Sequence, residues 1–206
     1  FCFCFAPAHH PAMKHAAPVR AELGFRTLFN LLGPLTNPAG ATAQLMGVFD
    51  PALTELIARV LHRLGTQQAL VVHGELRRAT ADQPRQDLGE LTTTGPTRIS
   101  QLQAGRILTF ELDARKLGLT HVEPGVLSVD SPAASAQRIT EVLAGAPGPA
   151  RDIVLLNAAA ALMVAEVARD LSSGLHLAAQ AIDSGQARQT LATLVQLTQA
   201  DPTPRP

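Results

Sequence analysis

Two arginines and a pair of histidines near the start of the chain are the side chains best suited to bind an anion. Arg20 and Arg26 each carry a planar guanidinium group, which can donate two hydrogen bonds to a carboxylate or a phosphate. His9 or His10 would add a further donor. Prolines recur through residues 5–40, so this segment is predicted to form short helices separated by turns. The alternative is a proline-rich surface connection whose charges are solvated.

A second group of polar residues follows a predicted βαβ unit. Short apolar runs at 44–49 and 68–73 predict two buried strands, and the apolar spacing between them predicts a helix over 53–64. Such a unit implies a parallel strand pair with a right-handed crossover. Ligands of open α/β sheets bind beyond the carboxyl ends of the strands. Residues 73–75, His-Gly-Glu, are therefore predicted to lie near a substrate.

The rest of the chain predicts a sheet edge and a set of helices. Residues 91–112 predict two strands that are joined by a turn at Gly105. Helices are expected over 133–143, from 152 to about 169, from Ser172 or Ser173 to about 183, and around Leu191, Leu194, Val195 and Leu197. The first of these helices is expected to turn Ala136, Ile139, Val142 and Leu143 inward.

Asn157 is a polar residue within an almost entirely apolar helix. It is either a ligand-binding side chain or a core amide. Buried amides are mostly hydrogen-bonded within the protein, so we expect Asn157 to bond to a neighbouring segment.

Composition excludes several classes of function. The chain has 206 residues, with 46% hydrophobic and 17% charged residues, which is typical of a globular domain with a real core. Lys+Arg and Asp+Glu both number 17, so no overall field attracts nucleic acid or a membrane surface. Cys2 and Cys4 are too few for a disulfide framework, and their spacing disfavours zinc, so residues 1–5 are expected to form a buried strand in a cytoplasmic protein.

Four stretches between His10 and Pro38 occur in a specific order: H-P-A-M-K, P-V-R, L-G-x-R-T and F-N-x-L-G-P-L-x-N-P. This order resembles the signature region of the anthranilate phosphoribosyltransferases. The later stretches D-I-V-L-L-N-A-A-A-A-L and A-I-D-S-G-x-A are similar to the same family, so the resemblance extends from about Phe5 to about Leu194. It implies an α/β fold with a predominantly parallel sheet flanked by helices. This is the larger domain of a nucleoside phosphorylase/phosphoribosyltransferase-like fold, here truncated at its N-terminus.

The resemblance also implies an activity and a set of substrate-binding residues. The family transfers a phosphoribosyl group from phosphoribosyl pyrophosphate to the amine of anthranilate and releases pyrophosphate, a step of tryptophan synthesis. By position, Arg20 would bind the anthranilate carboxylate with His10 alongside it. Gly33 and Pro34 would form a wall of the aromatic pocket, while Arg26 would be structural.

The magnesium site implied by the resemblance is altered in this sequence. Relatives carry an adjacent Asp-Glu pair that helps to hold Mg²⁺ for the pyrophosphate, whereas here Gly89 precedes Glu90. Asp87 lies three positions before Glu90 and would be the substitute, in a loop longer than that of the family. Because a hard oxygen site that loses a carboxylate binds Mg²⁺ more weakly, Glu90 and Asp87 are expected to form a weakened site.

Two parts of the family pattern do not occur in these residues: the Gly-Thr-Gly-Gly-Asp phosphate loop and the N-terminal helical domain through which relatives form homodimers. The chain is therefore expected to be a C-terminal portion, with a partial catalytic domain over residues 1–200 and a disordered tail over 201–206. Three interpretations stay open. It is part of a transferase, an inactive truncated or degraded relative, or a nucleic-acid-binding relative, which the zero net charge disfavours.

Overall fold

The computed structural model describes residues 9–25, 27, 29–37, 39–76 and 87–199, although not the side chains of Arg20, Asp87 and Pro124. The predictions for the strand at residues 1–5, for Arg26 and for the tail at 201–206 lie outside the described residues. The helices are α1 (Ala17–Leu23), α2 (Phe29–Leu35), α3 (Leu53–Arg63), α4 (Pro132–Leu143), α5 (Pro149–Val164), α6 (Leu171–Asp183) and α7 (Gln186–Gln199). The strands are β1 (Ala43–Gly47), β2 (Gln68–Glu75), β3 (Asp87–Leu88), β4 (Thr97–Gln103) and β5 (Arg106–Leu112).

The sheet has the strand order β1-β2-β4-β5, with β3 paired to the end of β2. Strands β1 and β2 are parallel, as expected for two strands connected through α3. The pairs β2–β4, β4–β5 and β2–β3 are antiparallel. The predicted α/β fold with helices flanking a sheet is confirmed, but the described sheet is mixed rather than predominantly parallel. The reason is that no helix lies among the described residues between β2 and β4, and parallel pairing requires a crossover connection.

Helices cover both faces of the sheet. Because successive residues of a strand point to opposite faces, Val71 packs towards α3 and Val72 packs towards α5. The core on the first face contains Leu31, Met46, Val48, Ile57, Ala58, Leu61, Ala69, Val71 and Leu102. The core on the second face contains Leu70, Val72, Leu91, Ile99, Ala114, Leu156, Ala160 and Val164.

Strands β4 and β5 form the predicted hairpin. Ala104 and Gly105 connect them, with φ angles of 49° and 73°, respectively. A two-residue turn with positive φ at both positions matches the twist of the strands that it joins. Gly105 accepts such an angle readily because it has no Cβ.

The C-terminal helices begin at polar caps and pack against one another. The Ser131 hydroxyl accepts a hydrogen bond from the Ala134 amide at the start of α4. Asp170 and Ser173 form a capping box at the start of α6. Within α6, a Cβ on Gly174 would lie 2.8 Å from the Ala159 carbonyl oxygen, so α5 and α6 are in direct backbone contact.

Two predictions about these helices are wrong in detail. Ile139 was expected to face inward, but it is 52% exposed, and of the predicted inward residues of α4 only Val142 is buried. Helix α5 ends at Val164 instead of about Arg169, because Glu166 adopts a positive φ of 58° that breaks the helix. In the part of the chain that the structure describes, no helix is long and apolar enough to cross a membrane.

Candidate functional site

The segment Gly89–Leu91 lies against the carboxyl ends of the two parallel strands. A Cβ on Gly47, the last residue of β1, would lie 1.6 Å from the Gly89 carbonyl oxygen. A Cβ on Gly74 in β2 would lie 2.5 Å from the Glu90 carbonyl oxygen. No real side chain tolerates either distance, so these approaches require glycine in both strands. The strand ends therefore fix the backbone of residues 89 and 90 by direct contact.

Asn157 of α5 holds the same segment by hydrogen bonds. Its Oδ1 atom accepts from the Leu91 amide at 3.0 Å, and its Nδ2 atom donates to the Leu91 carbonyl oxygen at 2.9 Å. Nδ2 also donates to the Ile153 carbonyl oxygen, one turn earlier in the helix, at 3.0 Å. The prediction that Asn157 is a core amide bonded to a neighbouring segment is confirmed.

The chain after Leu91 is fixed by buried hydroxyl groups. Thr92 Oγ1 lies 2.8 Å from Thr94 Oγ1 and accepts a hydrogen bond from the Thr94 amide at 3.0 Å. Thr97 Oγ1 accepts from the Thr92 amide at 3.1 Å. All three threonines are buried, and buried hydroxyls stabilise a structure only when they are bonded in this way. Glu90 therefore lies at the entrance of a rigid turn.

Glu90 is the residue of the segment Gly89–Leu91 that carries a carboxylate. The residue as a whole is exposed, but its carboxyl group is partly withdrawn from water, and this desolvation raises the pKa of Glu90 above its usual value. It lines a cavity of about 480 Å³ between the sheet and α4 and α5, whose other walls are mainly apolar. The lining residues are Leu76, Leu88, Glu90, Gly125, Leu127, Ser128, Arg138, Ile139, Val142, Leu143, Ala150, Ile153 and Val154.

The oxygen ligands in this segment suit a Mg²⁺ ion that is also bound by phosphate oxygens. They do not form a complete set of protein ligands for the ion. Mg²⁺ in phosphoryl sites is typically held by one or two carboxylates together with phosphate oxygens. Glu90 supplies one carboxylate, while Gly89 supplies none. Asp87 lies in β3 opposite Glu75, and its side chain is outside the described atoms. No group of three or more His, Cys, Asp or Glu side chains suited to a metal occurs among the residues that the structure describes.

The residues predicted to bind anthranilate lie on the short helices before the sheet. His10 precedes the 3₁₀ helix Pro11–His15 and is partly buried. Arg20 belongs to α1, and its side chain lies outside the described atoms. Gly33 and Pro34 are in α2, which continues through the proline to Leu35. No Cβ contact would arise within 4 Å at Gly33, so the surface around it is open.

Strand β1 connects these helices to the Glu90 segment. At its start, Gln44 Nε2 donates a hydrogen bond to the Pro34 carbonyl oxygen at 2.9 Å, and Leu31 of α2 packs in the core with Met46. At its end, Gly47 contacts Gly89. Across the described residues, no direct hydrogen bond joins His10, Gly33 or Pro34 to Glu90.

The family model described as "Glycosyl transferase family, a/b domain" matches residues 1–188 of the chain. The chain belongs to this glycosyl transferase family. The predicted resemblance to anthranilate phosphoribosyltransferases is also confirmed. The enzyme of that name from Chromobacterium violaceum is 49% identical over 195 residues, which are 95% of this chain and 54% of the relative. The one from Laribacter hongkongensis is 50% identical over 196 residues, again 95% of this chain and 54% of the relative.

Solved structures of anthranilate phosphoribosyltransferases share the fold of this chain. The enzyme from Thermus thermophilus superposes with a TM-score of 0.85 at 39% identity, covering 97% of this chain and 56% of that chain. The Saccharomyces cerevisiae enzyme in complex with 4-fluoroanthranilate gives a TM-score of 0.80 at 25% identity, and a variant with Mg bound gives 0.81, also at 25% identity. Each yeast comparison covers 95% of this chain and 54% of that chain. The chain spans about half the length of the curated relatives that it matches.

Two features of this glycosyl transferase domain did not follow from its sequence. His73 was expected near a substrate, but it is fully buried, and its Nδ1 lies 3.0 Å from the Val48 carbonyl oxygen, where it fastens the end of β1. The role of Gly47 was missed. The only available signal was a glycine at the end of a buried strand, which is a position where backbones approach closely.

Proposed function

We propose that this chain is part of an enzyme that transfers a phosphoribosyl group from phosphoribosyl pyrophosphate to anthranilate. The products would be N-(5-phosphoribosyl)anthranilate and pyrophosphate, in tryptophan biosynthesis. The observation that carries the proposal is the match to relatives of that name at 49% and 50% identity across 95% of the chain. The placement of Glu90 beyond the carboxyl ends of β1 and β2 supports it, because ligands of α/β sheets bind there.

The anthranilate side of the site would be formed by the helices before the sheet. The Arg20 guanidinium would pair with the substrate carboxylate in a charge-assisted bond, with His10 alongside. Gly33 and Pro34 would form the wall beside the aromatic ring. The Gln44–Pro34 hydrogen bond supports this arrangement, because it fixes the end of α2 to β1.

Glu90 would hold Mg²⁺ on the pyrophosphate side, with Asp87 as the further carboxylate. When bound, Mg²⁺ would neutralise the charge of the leaving pyrophosphate. The site would be weaker than one with two adjacent carboxylates, since Gly89 contributes no ligand. The chain's own contribution would be orientation and electrostatic stabilisation, because the aryl amine is already a nucleophile and needs little help from an acid or a base.

We further propose that these 206 residues do not turn over anthranilate without additional residues. Phosphates are commonly bound by glycine-rich turns whose amides approach the oxygens. The Gly-Thr-Gly-Gly-Asp stretch expected for that task does not occur in this sequence. Removing one well-placed donor from such a site costs on the order of 10²–10³ in rate, so the absence of a whole set would abolish measurable turnover.

The test compares the chain with a completed enzyme. The completed enzyme joins this chain to the part of the Chromobacterium violaceum relative that the chain does not match. Each protein is supplied with both substrates and Mg²⁺, and loss of anthranilate fluorescence is followed against a heat-killed control. We expect turnover by the completed enzyme and none by the chain alone. Turnover by the chain alone would refute the proposed lack of activity.

An inactive completed enzyme that folds would instead favour a non-catalytic relative. Gly89, which replaces an expected carboxylate, is the observation in favour of that second candidate. Binding of each substrate to the completed enzyme, measured by calorimetry, separates a broken phosphate side from a fold that binds neither substrate.

A further inference from the structure

We propose that Asn157 is a positioning residue, which fastens the Glu90–Leu91 backbone to α5 and so fixes the place from which Glu90 faces its ligand. This inference rests on the proposed function for the role of Glu90. Its structural basis is a pair of hydrogen bonds, because the Asn157 amide engages both backbone groups of Leu91, at 3.0 Å and 2.9 Å. The Leu91 side chain is fully buried, so its backbone lies where water cannot easily replace these bonds.

The bonds from Asn157 take the place of strand pairing in this segment. The ladder between β2 and β3 ends at Leu88, and the ladder between β2 and β4 begins at Thr97. Within the described residues, no strand ladder therefore includes residues 89–91. Buried backbone groups must be paired, and at Leu91 the amide of Asn157 pairs both of them. A side chain thus does here what a neighbouring strand does elsewhere in the sheet.

The position of Asn157 is itself fixed. Its Nδ2 atom donates to the Ile153 carbonyl oxygen at 3.0 Å as well as to Leu91, which holds the amide plane against the helix. On the strand side, Gly47 and Gly74 limit the approach of residues 89 and 90 by contact alone. Contact prevents movement towards the sheet, whereas the hydrogen bonds from Asn157 also prevent movement away from it. Asn157 is therefore the group that keeps residues 89–91 from moving away from the sheet.

A purely stabilising role for Asn157 predicts a different result from a positioning role. If Asn157 only adds to stability, its loss raises the amide exchange of every residue that exchanges by global unfolding, and Leu91 follows the rest. If Asn157 positions the segment, Leu91 loses protection beyond the general loss. Leu155, also in α5, offers a matched control because it is buried and packs with Val142 in a third core cluster, which includes neither Leu91 nor Val71.

The first measurement is amide exchange by NMR on this chain, with Val71 as the internal reference for the sheet. Asn157→Leu removes both bonds at similar size, and we expect it to lower the protection of Leu91 relative to Val71 by about tenfold or more. Leu155→Ala should change that ratio by less than about twofold. Asn157→Asp keeps the acceptor for the Leu91 amide and serves if the leucine variant does not fold, with an intermediate loss expected. An unchanged ratio in both Asn157 variants would overturn the proposal.

The second measurement uses Mn²⁺ together with inorganic pyrophosphate as the probe, on the same samples. Mn²⁺ near Glu90 would broaden the amide resonances of residues 89–92, and Glu90→Gln should abolish this broadening. Asn157→Leu should require about tenfold more Mn²⁺ for equal broadening, by the loss of the same bonds, while Leu155→Ala should match the unsubstituted chain. Equal broadening in Asn157→Leu and the unsubstituted chain would overturn the positioning of Glu90. If no variant shows broadening while Leu91 still loses protection selectively, the metal role in the proposed function fails and the fastening by Asn157 stands.

Discussion

Replacing Gly47 by alanine tests the backbone contact between β1 and the Glu90 segment. The added Cβ would lie 1.6 Å from the Gly89 carbonyl oxygen, whereas real Cβ atoms essentially never approach another atom within 3.0 Å. The two backbones would have to separate by more than 1 Å. Both sides are backbone, so neither can rotate away as a flexible side chain would.

The expected cost follows from that displacement. Inserting a methyl group into a well-packed interior typically costs about 1–3 kcal/mol. We expect Gly47→Ala to fall within this range, because backbone has to move although both glycines are exposed. For a chain of this size, such a loss lowers the midpoint of thermal unfolding by about 2–4 °C for each kcal/mol. The assay is urea unfolding followed by circular dichroism, with the melting temperature as a second measure.

Gly89→Ala is the matched control, because it places a methyl group on the other side of the same contact. Its Cβ would meet nothing closer than 3.7 Å, at the carbonyl carbon of Gly47. Since the φ of Gly89 is outside the left-handed region, alanine should be tolerated there and even stabilise the chain by about 0.4–1 kcal/mol through the unfolded state. Equal losses for the two variants, or no loss for Gly47→Ala, would refute the close approach.

Four further predictions concern the site and its electrostatics. In the completed enzyme, Arg20→Ala should weaken anthranilate binding by about 1.5–3 kcal/mol, the scale of a charge-assisted hydrogen bond. Calorimetry should show a much smaller change for phosphoribosyl pyrophosphate, and an equal loss of affinity for both substrates would indicate a structural role. Gly89→Asp, which the space around Gly89 permits, should lower the Mg²⁺ concentration for half-maximal rate; an unchanged requirement would mean that Asp87, or no carboxylate, assists Glu90. Burial raises the pKa of Glu90, so its ionisation opposes folding. Without metal, Glu90→Gln should therefore raise the urea midpoint of unfolding at pH 7, and this gain should vanish as the pH falls below 4.5, the usual pKa of a glutamate. Hydrogen bonds from the Ser173 backbone and side chain lower the pKa of Asp170, so the Asp170 carboxylate stabilises the fold fully above the usual pKa of 3.8 and less as the pH falls below it. The destabilisation by Asp170→Ala should therefore shrink towards pH 3. The destabilisation by Ser131→Ala, at a cap without charge, should not.

The βαβ unit could be predicted from the sequence because its signals are local. Asp50 and Pro51 precede a run of apolar residues at helical spacing, and the structure shows the Asp50 carboxylate accepting from the Ala52 amide at 2.9 Å before α3 begins. Strands β1 and β2 are short apolar runs that end at glycine or at a polar residue. Each of these features acts within a few residues.

The end of α5 could not be predicted, because a glutamate, Glu166, takes the left-handed turn position that glycine usually occupies after a helix. The apolar pattern continues past Val164, and no glycine marks the C-terminus as it commonly does. The chain instead turns at Glu166, whose carboxylate accepts a hydrogen bond from Gln68 at the start of β2, at 2.9 Å. A contact between residues so far apart in sequence leaves no periodic signal.

The candidate site divides in the same way. Glu90 and the anthranilate-binding residues are predictions from motifs, and the interaction of Asn157 was predicted from the cost of burying an amide. The partner of Asn157 was not predicted, because Leu91 is an ordinary apolar residue and only its backbone takes part. Likewise, the contact between Gly47 and Gly89 is an absence of side chains, which a sequence does not distinguish from flexibility.

The short pairing of β3 with β2 makes the position of Glu90 independent of how many residues connect the two strands. Glu75 pairs with Asp87 and Gly74 pairs with Leu88, so residues 76–86 connect two points that the sheet already holds together. The entropy lost on closing a loop grows only with the logarithm of its length, by about 0.6 kcal/mol for each doubling. Insertions between residues 76 and 86 should therefore change the stability of the chain little. This connection is a natural place to insert a reporter peptide, or to open the chain by circular permutation, without displacing Glu90.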